Sequence, residues 1–256
     1  MRRLIEFPCE GDTLVGSIDE AAGTTGLLIV SGGNEIRAGA HRGMALLAAE
    51  LAAIGTPVFR FDRRGIGDST GENGGFTSSG PDVMAAIAAF RAAAPHIDRV
   101  VGFGNCDAAT ALLTDAGDGF DRLVLANPWV VEPADDLPPA AAIRARYADR
   151  LRDPASWARM FTGRINIAKL MIGLTKIAHS RLEATPLEQS VFTTLAAHRD
   201  ARVILATGDA TGIAFADAAR RLGYGAAPIL IDTASHSFAR ASDKAALLAA
   251  ITAALA

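Results

Sequence analysis

VGFGNCDAAT, residues 101–110, runs from an apolar segment through Gly104 into Asn105-Cys106-Asp107, and then into small residues that open a helical pattern. A cysteine thus stands where a strand turns sharply into a helix, in a chain whose only other cysteine is Cys9. Two readings compete. Either Cys106 is a small residue that fits a crowded turn, or the turn exists to present its sulfur.

The apolar half of this stretch belongs to a series. GLLIV (26–30), PVFRF (57–61), RVVGF (99–103), RLVLA (122–126), RVILA (202–206) and PILID (228–232) lack polar alternation, as expected of strands buried on both faces of a parallel sheet. LIEF and TLVGSI, flanking Pro8-Cys9-Glu10-Gly11-Asp12, read as an antiparallel hairpin ahead of them. Helical patterns lie between, at 43–55 and 81–94, and another closes the chain at 241–256. This alternation predicts a single α/β domain over 1–256, a mostly parallel central sheet with helices on both faces. The rhythm breaks from about 131 to 195, where no convincing strand occurs. A Pro/Asp-rich opening is followed by helical pattern carrying Trp157 and Arg144, Arg146, Arg150, Arg152, Arg159 and Arg164. A helical cap over the strands' carboxyl ends is expected there; an ordinary pair of surface helices is the alternative. The arginines would attract an anionic substrate or a membrane surface, or form a solvated face.

Bulk properties narrow the function classes. Half of the 256 residues are apolar and the formal net charge is −3, so no electrostatic case exists for nucleic acid as a partner. Two distant cysteines suggest neither a disulfide framework nor a zinc site, and a reduced, cytoplasmic setting is expected. The first residues turn polar too soon for a secretory signal. No apolar run approaches the roughly 18 residues of a membrane span. Neither GxGxxG nor a phosphate-cradling loop is found, so no nucleotide, other cofactor or metal is expected.

Chemistry gathers around Cys106. A strained strand-to-helix turn needs small residues two positions to either side, and Gly104 and Ala108 supply them. The turn places its central residue at a helix N-terminus, where free N–H groups and the helix dipole favour negative charge. Downstream, Thr207-Gly208-Asp209 follows strand RVILA, and His236 lies in TASHSF (233–238) before the last helix. Nucleophile, acid and histidine in that order, each after a strand, predict a Cys106–His236–Asp209 triad. A helix-capping role is the alternative for Asp209, and Asp232 and Asn127 are weaker candidates for the orienting acid. His41, His96, His179 and His198 lie mostly in or beside helices and suit the surface. An oxyanion would be received by the N–H of Asp107 and by the amide of Gly33 or Asn34, in the loop Ser31-Gly32-Gly33-Asn34. An ordinary glycine turn is the alternative for that loop. Arg37, His41 and Arg42 follow it closely, so Arg37 and His41 are expected at the site entrance, with Trp157 as a substrate contact from the cap. In FDRRGIGDSTG (61–71), Asp62, Arg64, Gly65 and Gly67 are expected to pin a loop beside the site through turn geometry and a salt bridge. Ser69 in that run is not a candidate nucleophile.

The residues SGGN, FDRRGIGDS, GNCDAA, TGD and ASHSF together resemble the α/β-hydrolase superfamily over the whole chain. More narrowly the chain resembles the exosortase-A-system-associated hydrolases, type 1 branch. That likeness rests on GGNEIRAGAHRG, on RFDRRGIGDSTG, on the cysteine turn followed by Asp-Ala-Ala, and on YADRLRDPASWARMFTGRIN in the expected cap. It implies an α/β-hydrolase fold with a cap and a setting among exopolysaccharide and protein-sorting systems. Cysteine in place of the usual serine departs from the routine esterase pattern. The expected activity is hydrolysis of an ester, thioester or lactone, or acyl transfer, through an acyl-cysteine intermediate. The substrate would be a small molecule or a lipid- or saccharide-linked acyl group. A non-catalytic protein of the same fold, binding a ligand or partner, is the alternative, and a complete nucleophile-acid-base set argues against it.

Overall fold

The structure, a computed structural model, describes residues 1–132 and 184–256 together with Ala142. It opens with a hairpin of β1 (Arg2–Cys9) and β2 (Asp12–Asp19). Then follow β3 (Thr25–Val30), β4 (Val58–Phe61), β5 (Arg99–Asn105), β6 (Arg122–Ala126), β7 (Arg202–Ala206) and β8 (Ile229–Ile231). Each coincides with an apolar run of the sequence. They form one sheet in the order β1-β2-β4-β3-β5-β6-β7-β8, parallel throughout from β4 to β8. From β3 the chain crosses to β4 on one side and later to β5 on the other. A crevice therefore opens at the carboxyl ends of β3 and β5, the usual site of an open α/β sheet.

Side chains two apart on a strand share a face, and both faces are apolar here. Leu27 and Ile29 pack with α1 (Gly43–Ala53) and α6 (Ala241–Leu255), whose Leu47, Leu51 and Ile251 are buried. Leu28 and Val30 face the opposite layer: α2 (Gly80–Ala93), α3 (Asp107–Asp115), α4 (Pro186–Ala197) and α5 (Ala210–Arg221). Each fully buried Leu, Ile or Phe in these layers contributes about 1.5–3 kcal/mol. The helix α4 starts on a reciprocal cap: Thr185 Oγ1 accepts from the Glu188 amide (3.2 Å) and Glu188 Oε2 from the Thr185 amide (3.1 Å).

One strand departs from expectation. PILID reads as buried on both faces, yet β8 is an edge strand paired only with β7, leaving Ile229 37% and Leu230 64% exposed. Nothing in a three-residue apolar run distinguishes an edge from a centre; only the sheet order does. Of the expected cap only 131–132, Ala142 and 184–195 are described, the last running into α4, which packs in the layer against the sheet; Trp157 and the six arginines lie outside the described residues. Among the described residues no helix is long and apolar enough to cross a membrane.

Candidate active site

Five strand ends converge on the crevice. The loop Ser31–Asn34 follows β3, Cys106 follows β5, Asn127 follows β6, Asp209 follows β7 and His236 follows β8.

Cys106 occupies the turn between β5 and α3 with φ 61° and ψ −127°, a conformation that costs a non-glycine residue roughly 1–3 kcal/mol. Its backbone is held from both ends. The Cys106 N–H donates to the Ala126 carbonyl (2.9 Å), and the Cys106 carbonyl accepts from the amides of Ala109 (3.1 Å) and Trp129 (3.2 Å). Gly104 permits the turn because a Cβ there would lie 2.8 Å from the backbone of Ala108 and Ala109. On the opposite wall, a Cβ on Gly32 would lie 2.5 Å from the carboxylate of Asp107.

His236 Nδ1 is 3.0 Å from Asp209 Oδ2, and the ring lines one cavity with Cys106, whose sulfur acts on its titration. Asp209 Oδ2 accepts two further bonds, from the amides of Thr211 and Gly212 (3.1 Å each), so one oxygen both caps α5 and holds the histidine. Asp209 and the cysteine sulfur, against the opposing effect of burial, push the His236 pKa up from 6.5 to about 10. Burial by itself would raise Asp209. The bond and charge of His236 and the amides of Gly212 and Thr211 outweigh it and keep the carboxyl below its ordinary value.

A chain of asparagines fixes the histidine loop. Asn127 is fully buried at φ 42°, and its Oδ1 accepts from the Ala206 amide (2.8 Å) while its Nδ2 donates to Asn105 Oδ1 (3.2 Å). Asn105 Nδ2 in turn donates to the His236 carbonyl (3.0 Å). Asn127 thus orients the site through the backbone of three strands rather than through the imidazole.

Cys106, Asp107, Gly33 and His236 line a cavity of about 420 Å³ whose apolar walls include Met44, Phe76 and Trp129. Behind the β3 loop, the buried Arg63 donates to the Gly33 carbonyl and to Ser79 Oγ (2.8 Å). Among the described residues no cluster of His, Cys, Asp or Glu is arranged to hold a metal.

No family model matches this sequence, and no curated protein matches it. Solved structures do match. An esterase of Pyrococcus furiosus superposes with a TM-score of 0.61 at 15% identity, covering 99% of this chain and 92% of its own. DcsB in complex with its substrate analogue gives 0.65 at 12%, covering 100% and 99%. An α/β hydrolase of Sphaerobacter thermophilus gives 0.55 at 20%, covering 96% and 99%. The chain has the α/β-hydrolase fold. Likeness at such identities carries the fold alone, so the chemistry rests on this chain's own residues.

Within the α/β-hydrolase fold, the expected site residues fall in three groups. Cys106, His236 and Asp209 are brought together as described. Of the oxyanion candidates, Asp107 and Gly33 line the cavity, whereas Asn34 does not and its Oδ1 accepts from Asn73 Nδ2 (2.8 Å). The Gly33 N–H is already engaged by the Asp107 carboxylate (2.8 and 3.0 Å). Arg37 and His41 do not line the cavity. Arg37 is turned to Asp62, to Asp68 (2.8 Å) and to Ser17 Oγ (3.1 Å), and the exposed His41 lies in the bend before α1 at φ 51°. The 61–71 loop is pinned as expected, but by partners far away in sequence: Asp62 pairs with Arg37, and Arg64 with Asp82 (2.6 Å) and Glu10 (2.6 Å). Ser69 is buried and spent on the Asp62 carbonyl (2.7 Å). Phe76 and Trp129 were missed, because an aromatic residue in a loop carries no local signal of the wall it will join.

Proposed function

We propose that this chain is a hydrolase or acyltransferase of ester and thioester bonds that uses Cys106 as nucleophile, His236 as acid and base, and Asp209 to orient the histidine. The observation that carries the reading is the bond between His236 Nδ1 and Asp209 Oδ2, with the His236 ring lining one cavity with Cys106, which sits at a turn held in a strained backbone conformation. The esterase among the structural neighbours is consistent with it.

In the forward step the sulfur, its proton held by His236, forms a bond to the acyl carbon. The carbonyl electron pair moves onto oxygen, where the Asp107 N–H at the start of α3 and the β3 loop supply donors. As the tetrahedral species collapses, the bond to the leaving oxygen or sulfur breaks and His236 delivers the proton to it, leaving acyl-Cys106. Water or another acceptor then gives its proton to His236 and attacks the thioester. The sulfur departs as thiolate, and the proton returns to the pair. The apolar cavity suits an acyl chain, and both cysteines are free thiols, as a reducing cytoplasmic setting would keep them. The resemblance to exosortase-associated hydrolases narrows the proposal further, to an acyl group linked to a saccharide or lipid carrier.

Intact-mass analysis after exposure to a panel of acyl thioesters tests this. The expected result is a single acyl adduct that disappears in Cys106→Ala, together with loss of turnover. Full activity in Cys106→Ala would refute the assignment.

A further inference from the structure

The loop that carries His236 is anchored by one threonine. Thr233, two residues past β8, accepts at its carbonyl from the Gly208 N–H (2.9 Å), one residue ahead of Asp209. Its Oγ1 accepts from the Ser235 N–H (3.0 Å), one residue ahead of His236. The same Oγ1 donates to Oδ2 of Asp243 (2.7 Å), a carboxylate in the first turn of α6, and both residues are only 4% exposed. The other oxygen of Asp243 accepts from Ser242 Oγ (3.2 Å). Downstream the turn closes on Ser235, whose carbonyl accepts from the Phe238 N–H (3.1 Å) and whose Oγ accepts from the Ala239 N–H (2.9 Å). A shift of Ser235 is therefore passed on to His236.

We infer that Thr233, its hydroxyl aimed by Asp243, is a positioning residue that holds His236 in register with Asp209. The consequence for turnover rests on the acyl-cysteine reading above. A hydroxyl has one proton, and a carboxylate oxygen only accepts. Asp243 therefore takes that proton and turns the lone pairs of Oγ1 toward the Ser235 amide. Threonine is stiff at χ1, so a side chain fixed at its tip by α6 also fixes the backbone that bears it. Thr233 sets the acid loop through its carbonyl and the histidine loop through its hydroxyl, and the 3.0 Å bond between His236 and Asp209 needs the two loops in step. The bond from Asn105 fixes the His236 carbonyl but not the approach of the chain to it. Without the Thr233 hydroxyl the Ser235 amide loses its acceptor, and the histidine loop slides against Asp209. Proton transfer tolerates little of that, since misplacement by about 1 Å costs on the order of 100-fold in rate. Neither Thr233 nor Asp243 lines the cavity, so the pair acts on the histidine and not on substrate binding.

The test follows the His236 imidazole by NMR titration, and kcat and KM on an acyl thioester, in the wild type, Thr233→Val and Thr233→Ser. Valine keeps the branched shape and removes the hydroxyl, and serine restores it. In Thr233→Val the His236 pKa, about 10 in the wild type, should fall by about one unit or more and kcat by at least about tenfold, with KM within about twofold. Thr233→Ser should return both to about their wild-type values. A role in stability alone would lower the melting temperature of Thr233→Val and leave the imidazole titration in place, and that result overturns the inference. So does a Thr233→Ser protein as impaired as the valine one. Should Thr233→Val fail to fold, Thr233→Ala, which leaves room for water beside the Asp243 carboxylate, carries the same test with the same outcomes. The titration needs no turnover. A wild-type protein that forms no adduct at Cys106, while His236 shifts as expected in the variants, refutes the acyl-cysteine reading and leaves Thr233 as the residue that sets His236 against Asp209.

Discussion

Asp209→Asn isolates charge from geometry at this site. All three bonds that Asp209 accepts, from Thr211, Gly212 and His236, end on Oδ2. An asparagine oxygen in that place keeps the α5 cap and the tautomer of the imidazole, and loses only the negative charge. A hydrogen bond to a charged partner is worth about 1.5–3 kcal/mol against about 1 for a neutral one. The His236 side chain is 41% exposed, so solvent screens part of that difference and about 1 kcal/mol is the working value. The His236 pKa, about 10 in the wild type, should then fall by about one unit, and kcat/KM at neutral pH by about tenfold. The assay is the pH dependence of kcat/KM and of Cys106 alkylation from pH 5 to 11, with the basic limb expected to move down. Stability carries the same signature. The raised pKa of His236 contributes stability that is fully present below 6.5 and is lost as pH rises through about 10. The lowered pKa of Asp209 contributes stability present above its ordinary 3.8 and lost as pH falls through the folded value. Both dependences should flatten in Asp209→Asn. Asp209→Ala should in addition lose the cap, about 1 kcal/mol, and melt roughly 2–4 °C lower. A basic limb that stays in place in Asp209→Asn would show that the carboxylate does not support the imidazolium, and would refute the reasoning.

Two further substitutions test the scaffold. Gly104→Ala places a Cβ against backbone atoms that cannot rotate away and must shift the first turn of α3, so a loss of about 3 kcal/mol by calorimetry is expected together with the acyl adduct at Cys106; an unchanged melting temperature contradicts this. Asp62→Ala removes the buried partner of Arg37, leaving it the exposed Asp68, and removes the acceptor of the Arg37 and Asp68 amides (2.5 and 3.1 Å), for a loss of about 3 kcal/mol in urea unfolding with little change in KM, because Arg37 does not reach the cavity.

Features written into contiguous residues were legible in the sequence, and those made by distant contacts were not. The Gly104-Asn105-Cys106-Asp107-Ala108 turn is local chemistry, and the placement of Asp209 and His236 after strands is a matter of order alone. By contrast, Arg37 reads as a cation beside the glycine loop until Asp62, well downstream, folds against it. Asp107 was legible as a backbone donor, but not as a carboxylate reaching across to Gly33, a contact between residues 74 apart. Asn127 appeared as a weak candidate for the orienting acid; its actual work of joining Ala206, Asn105 and the His236 loop requires three strands to be adjacent.

The edge position of β8 has a bearing on how such a molecule would lose activity. Three residues, hydrogen-bonded on one side and apolar toward solvent, make the least protected strand of the sheet, and local opening of such segments precedes global unfolding. His236 follows that strand by five residues and is tied inward by its ring to Asp209 and by its carbonyl to Asn105. Fraying there would withdraw His236 and leave Cys106, helix α3 and both packed layers in place. On warming, turnover would therefore fade reversibly, with the core still folded, at a temperature set by the few bonds that hold the His236 loop to Asp209 and Asn105.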